Sequence, residues 1–210
     1  MDETKRNFDK EAATWDENPV RVKMAEDVGA AMVAQVPLSG AMRVLDFGCG
    51  TGLVTLRLAP LVGAVTGADS SRGMLDVLEA KAARMGLDNV RTQWLDPDGD
   101  GALSGQYDVI VSTMTLHHIE AVEPLLAQFH RCLAPGGRLC IADLDLEGGR
   151  FHGDNTGVFH FGFDRETLCK AFVDAGFEEV DALTAATVLK PDEEGKVQPF
   201  SIFLISGRRV

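Results

Sequence analysis

The sequence predicts an α/β fold built on a doubly wound parallel sheet, and three observations carry that prediction. Short apolar runs alternate with helical patterns along the 210 residues, at a spacing that suits strand–helix–strand crossovers. Val44 to Gly52 reads VLDFGCGTG, an apolar strand end, a carboxylate at its tip and a glycine turn leading into a helix. Acids also stand at the ends of the next two strands, so that Asp46, Asp69 and Asp96 can face one crevice. The carboxyl ends of parallel strands share an edge, and ligands bind there.

Taken in order, Lys5 to Thr14 suits a short polar helix carrying Phe8, punctuated by Asn18 and Pro19. Val20 to Val36 follows as a second helix, with Val22, Ala25, Val28, Met32 and Val36 on one stripe. These helices precede the sheet, so residues 1–37 are expected to be an addition to a core domain of residues 38–210. Met42 to Phe47 is the first strand, and Leu53 to Leu61 the helix after the glycine turn. Ala64 to Asp69 is the second strand, Arg72 to Met85 a helix with Met74, Leu75 and Leu78 inward, and Asn89 to Leu95 the third strand. Tyr107 to Ser112 is an unbroken apolar run, as expected of a strand buried on both faces. Ala121 to Leu133 is a helix stopped by Pro135-Gly136-Gly137, and Arg138 to Leu144 the fifth strand. Asp145 to Phe163 is glycine-rich and without period, which predicts a long irregular loop of the kind that is usually functional or disordered. A helix from Arg165 to Ala175 takes Asp164 as its N-cap and stops at Gly176. Phe177 to Val188 and Pro199 to Gly207 then form an antiparallel pair about the turn-rich Pro191 to Lys196.

The totals bound the function. A hydrophobic fraction of 45% supports a sizeable core without staples. A net charge of −12 argues against a nucleic-acid partner, whose phosphates need a clustered basic surface. The four cysteines form no CxxC pair, which predicts reduced thiols and a cytoplasmic protein. The charged start has no apolar leader segment, and no stretch approaches a membrane span.

Glycine in the turn allows a backbone with φ > 0 and a close approach to a ligand. Asp69 lies about twenty residues beyond that turn, where a carboxylate can accept both hydroxyls of a ribose. The dinucleotide pattern is nevertheless missing, because the third glycine of GxGxxG would fall on Leu53. The chain also lacks Tyr-x-x-x-Lys and the triphosphate loop GxxxxGK[ST]. The ligand is therefore expected to be a nucleoside with little or no phosphate.

VLDFGCGTG, GADSS, WLD and LAPGGRLCIAD together resemble the class I S-adenosylmethionine-dependent methyltransferases over nearly the whole chain. The resemblance implies a Rossmann-like seven-stranded sheet of order 3-2-1-4-5-7-6 with strand 7 antiparallel. It implies S-adenosyl-L-methionine as cofactor, with Asp46, Gly48, Cys49 and Gly50 accommodating the methionyl half. By the same resemblance, Asp69 holds the ribose and Asp96 the adenine amino group, with Leu95 close to the ring. Ser70 and Met74 match positions beside the adenine, and Ser112 and Thr113 match the start of the loop after the fourth strand. ATWDENPVRVKMA, TLHHI, ADLDLEGGRFHG and GVFHFGFD are similar to a bacterial and archaeal small-molecule subgroup.

Methyl transfer to a hydroxyl or acid acceptor needs a proton acceptor near the methyl group. His117 and His118 follow the fourth strand at the ligand edge, and His152 and His160 flank the long loop with Asp143, Asp145 and Glu147 at its entrance. His117, His118 and His152 are the candidate bases, and Arg21, Asp145, His152 and His160 the candidate acceptor contacts. Trp15 and Phe8 can form a lid that excludes water from the cofactor. The histidine spacings match no HExxH-type metal pattern. The expected function is methyl transfer to the oxygen or nitrogen of a small molecule by a monomer or homodimer. The alternatives are a non-catalytic cofactor-binding sensor or partner subunit, and a protein methyltransferase.

Overall fold

The computed structural model describes residues 7–95, 103–192 and 195–210. Asp96, expected at the adenine, lies outside them. The elements are α1 (Phe8–Glu11), α2 (Pro19–Gln35), β1 (Arg43–Phe47), α3 (Thr55–Leu58), β2 (Ala64–Asp69), α4 (Arg72–Met85), β3 (Val90–Trp94), β4 (Tyr107–Thr113), α5 (Val122–Cys132), β5 (Leu133–Leu144), α6 (Arg165–Asp174), β6 (Phe177–Pro191) and β7 (Val197–Arg209). The strands form one sheet in the order β3-β2-β1-β4-β5-β7-β6. β1, β2, β3, β4 and β5 pair in parallel, while β7 runs antiparallel to both β5 and β6. The expected strand order and the reversed strand 7 are both present. The order reverses between β1 and β4, so the crevice at their carboxyl ends is a topological switch point.

Alternation along the central strands sends successive side chains to opposite faces. Val44, Val109, Val111, Ile202 and Leu204 pack in one core cluster. Their neighbours Leu45, Ile110, Phe203 and Ile205 pack in the other, under Leu126 and Phe129 of α5 and Phe172 of α6. Each such burial stabilises the fold by about 1.5–3 kcal/mol. Val28 and Met32 of α2 join the first cluster, and α2 packs across β6 and β7. No helix among the described residues is long and apolar enough to cross a membrane.

The helix expected over Lys5 to Thr14 is, among the described residues, α-helical at Phe8–Glu11 and continues as a 3-10 helix over Ala12–Glu17, and three further elements differ from expectation. The helix after the glycine turn shortens to Thr55–Leu58 and tightens into a 3-10 turn at Ala59–Leu61. Pro60 is the physical cause, since it offers no backbone N–H and restricts its predecessor. β5 begins at Leu133 rather than Arg138: Leu133 pairs with Tyr107 before the register shifts to Val109 opposite Arg138. Pro135-Gly136-Gly137 therefore makes a bulge inside the strand, with Gly136 at φ 79°, rather than a stop before it. The last hairpin also runs longer, because Leu189, Lys190 and Pro191 pair with Pro199, Gln198 and Val197. Asp192 closes it by accepting from the Lys196 backbone and the Gln198 amide. That extended arm reaches the ligand edge.

Candidate active site

A cleft of about 1310 Å³ opens at the carboxyl ends of β1, β2 and β4. Its floor is the glycine turn, held to the sheet by the N–H groups of Gly48 and Cys49, which donate to the Ala68 carbonyl at 2.7 and 3.1 Å. Gly48 has φ 69°, and a Cβ there would lie 2.2 Å from Thr115 Oγ1, so no larger residue fits. Gly50 has φ 52° and nothing within 4 Å of where its Cβ would stand, which leaves room for a ligand. Cys49 and Asp46 line the same wall. Burial, with Asp46 and Asp69 close by, pushes the Cys49 thiol well above its ordinary range, which disfavours the thiolate.

Asp69 ends β2 and is oriented by two backbone donors. Its Oδ2 accepts from Gly50 N–H at 2.8 Å and its Oδ1 from Ser71 N–H at 2.9 Å. A carboxylate offers about four acceptor sites, so lone pairs remain for two ligand hydroxyls. Burial raises its pKa and these N–H groups oppose the rise. Ser70, Met74 and Leu95 line the cleft beside it. Leu95 is pinned by its N–H donating to the Asp69 carbonyl at 2.9 Å.

Asp46 is 1% exposed and accepts from Thr55 Oγ1 at 2.6 Å. Burial, aided by Asp69, raises its pKa from an ordinary 3.8 to about 6. The folded chain thus holds this proton more tightly than the unfolded chain. The linked stability is fully present below pH 3.8 and is lost as pH rises through about 6. Asp46→Asn retains an acceptor for Thr55 and carries no charge. It is expected to gain on the wild type by up to about 3 kcal/mol between acidic and neutral pH. Urea unfolding at pH 4.5 and 7.5 checks this, and an equal gap at both values contradicts it.

The opposite wall follows β4. Met114 takes φ 54°, a strained value for a non-glycine residue, and lines the cleft with Thr113 and Thr115. A 3-10 turn then carries Leu116–His118. His117 is 1% exposed, and its Nδ1 lies 2.7 Å from Asp143 Oδ1 at the end of β5. Asp143 also accepts from the N–H groups of His117 (3.3 Å) and Leu144 (2.7 Å). An ionised carboxylate only accepts, so Nδ1 carries a hydrogen, and in a neutral imidazole the lone pair is then on Nε2. Nε2 is buried and has no hydrogen-bond partner among the described residues, and the same holds for Thr113 Oγ1; both residues line the cleft. His118 Nδ1 donates to the Gly157 carbonyl at 2.6 Å, and its ring meets Phe8 edge-on at 5.3 Å. The His152 ring stands 5.0 Å from that of His117. Among the described residues, no group of three or more His, Cys, Asp or Glu is arranged to hold a metal ion.

The N-terminal segment is fastened to this edge at two points. Asp9 accepts from Ser71 Oγ at 2.6 Å and Gly73 N–H at 2.8 Å. Asp16 accepts from Thr51 Oγ1 and Lys81 Nζ, both at 2.6 Å. Trp15 thereby lines the cleft, with the Arg21 guanidinium 3.8 Å above its ring. Asp9, Asp16, Lys81, Met114 and Lys190 were not among the expected site residues. Asp143 was placed only at the entrance of the loop, although a fourth strand-end acid was a signal available in the sequence.

Three expected contacts lie off the cleft walls. Ser112 stays inside β4, where its Oγ donates to the Phe47 carbonyl at 2.9 Å and ties β4 to β1. Asp145 is held by Arg165 through Nε at 2.6 Å and Nη2 at 2.5 Å, a bidentate pair anchoring α6. His160 Nε2 bonds the Ile119 carbonyl at 2.9 Å and its ring lies on Phe163, fastening the loop behind His117. Each of the three is used by the scaffold.

The chain matches the family model described as a methyltransferase domain over residues 20–182. It is 31% identical over 172 residues to an uncharacterized methyltransferase of Schizosaccharomyces pombe, covering 75% of this chain and 61% of that protein. It is 35% identical over 139 residues to the O-methyltransferase cnsE of Penicillium expansum, covering 61% and 49%. The chain thus spans less than two thirds of the length of these relatives. A SAM-dependent methyltransferase from Aquifex aeolicus superposes with a TM-score of 0.71 at 20% identity, covering 96% of this chain and 98% of that one. The putative methyltransferase complexed with the Trm112 activator in Haloferax volcanii gives 0.74 at 20%, covering 97% and 98%. At that identity the likeness shows the fold, while the family match covers most of the chain. This chain belongs to the methyltransferase-domain family.

Proposed function

We propose that this chain is an S-adenosylmethionine-dependent methyltransferase acting on a hydroxyl or amine of a small molecule, with His117 as proton acceptor and Asp143 orienting it. One observation carries the reading: the glycine turn with Asp69 and the residue His117, whose buried Nε2 has no hydrogen-bond partner among the described residues, line the same cleft. The donor side fits the cofactor. Asp69 has lone pairs for a ribose, Met74 and Leu95 offer apolar contact beside it, and Gly50 leaves space over the turn. S-adenosylmethionine, when bound, supplies a methyl group already activated on a sulfonium.

The chain's own residues then do three things. The turn, Asp69 and the β4 loop hold and orient the donor. The segment fastened by Asp9 and Asp16 is read as the lid, covering the cleft and excluding water. His117 Nε2 takes the acceptor's proton, a contribution of roughly 10²–10⁴-fold, while alignment of the reacting groups supplies several kcal/mol more. The buried Asp143–His117 pair favours a catalyst over a cofactor-binding sensor, which has no use for an oriented base.

Incubating the protein with methyl-labelled S-adenosylmethionine and a protein-free metabolite extract tests the reading. Label is expected in a small-molecule product. Label on protein alone, or on nothing, contradicts it.

A further inference from the structure

Two cations from different elements line the cleft, each stacked on an aromatic ring. Arg21 comes from the first turn of α2, stacked on Trp15, with its Nη2 3.7 Å from Glu11. Lys190 comes from the extended arm of β6, its Nζ 4.4 Å above the Phe151 ring and donating to the Phe151 carbonyl. Both line the cleft that holds His117.

The state of Lys190 is the informative one. Its ammonium has three donors and one goes to a neutral carbonyl. No carboxylate among the described residues lies within ion-pair distance of it. Burial and the nearby Arg21 lower its pKa, with Glu147 opposing. Two like charges kept close in a half-buried cleft repel one another. Acids line the cleft as well. Glu11 is the neighbour of Arg21, and Asp154 Oδ1 accepts from the backbone and hydroxyl of Thr156. Trp15, Met24, Phe151 and Leu189 add apolar lining to the cleft, and Lys10 a further cation.

We infer that Arg21 and Lys190 bind a carboxylate of the methyl acceptor. The substrate class is then a small apolar or aromatic acid, whose hydroxyl or amine is presented to His117 while its anionic group sits between the two cations. This rests on the methyltransferase reading above. An arginine fork matches a carboxylate in two hydrogen bonds, and a lysine adds a point charge.

The test uses protein saturated with S-adenosylhomocysteine, into which 4-hydroxybenzoate and its neutral counterpart 4-hydroxybenzamide are titrated. The acid is expected to bind roughly tenfold or more tightly than the amide, with a preference that shrinks as salt is added. Lys190→Gln and Arg21→Gln should each remove most of that preference, and Lys190→Arg should keep it. S-adenosylhomocysteine affinity should be unchanged in these variants, which also reports that they are folded. Equal binding of acid and amide, or binding of neither, overturns the inference. A loss of S-adenosylhomocysteine affinity in Arg21→Gln as large as the loss for the acid also overturns it, since Arg21 then serves the donor. Failure of the wild type to bind S-adenosylhomocysteine is a separate result that removes the methyltransferase reading itself.

Discussion

His117→Gln is expected to lower methyl-transfer turnover by roughly 10²–10⁴-fold, the usual contribution of a positioned general base. S-adenosylhomocysteine binding should survive, because the proposed role of the ring is toward the acceptor and not the donor. The geometry makes the effect specific. Asp143 receives the Nδ1 hydrogen at 2.7 Å, which in a neutral imidazole leaves a lone pair on Nε2, an atom with no hydrogen-bond partner among the described residues. Asp143→Asn tests the orienting role separately. An asparagine amide turned toward Nδ1 donates, which reverses the tautomer and moves the hydrogen to Nε2. Its turnover should fall by a similar factor with KM for the acceptor little changed. Either variant leaves a buried group unpaired at a cost of about 1–3 kcal/mol, so unfolding curves belong beside the kinetics. A folded His117→Gln protein with wild-type turnover contradicts the assignment.

Asp69→Ala is expected to weaken cofactor binding by roughly 10²–10⁴-fold. Two charge-assisted hydrogen bonds to a ribose are worth roughly 1.5–3 kcal/mol each at most, and every 1.4 kcal/mol is about tenfold. The substitution also strands the Gly50 and Ser71 N–H groups that the carboxylate now satisfies. Asp69→Asn should fall between, since one oxygen remains to accept. Titration of S-adenosylhomocysteine into each variant measures this, and an unchanged affinity for Asp69→Ala means that another group holds the nucleoside.

That the glycine turn and Asp69 share one cleft was legible in the sequence because the determinants are local. The glycine turn, a strand end and an acid about twenty residues on are set by one strand–turn–helix–strand unit. β2 and α4 accordingly run from Ala64 to Asp69 and from Arg72 to Met85, as their patterns predict. The acceptor half depends on contacts between distant segments. Asp145 looked like a ligand until Arg165, on another element, took both its oxygens. His160 is turned to the Ile119 carbonyl by a loop with no period to read. Lys190 reaches the cleft because the β6–β7 hairpin continues past its apolar stretch, and pairing rather than composition sets that length. Asp143 was visible as another acid at a strand end, but its partnership with His117 spans 26 positions of sequence.

The central claim is that the cleft above Gly48–Gly50 takes a sulfonium nucleoside, and isothermal titration with S-adenosylhomocysteine tests it most directly. One-to-one binding is expected, abolished or severely weakened in Asp69→Ala and absent with a dinucleotide such as NAD. No binding of S-adenosylhomocysteine to the wild type at millimolar concentration, or tighter binding of NAD, contradicts the account.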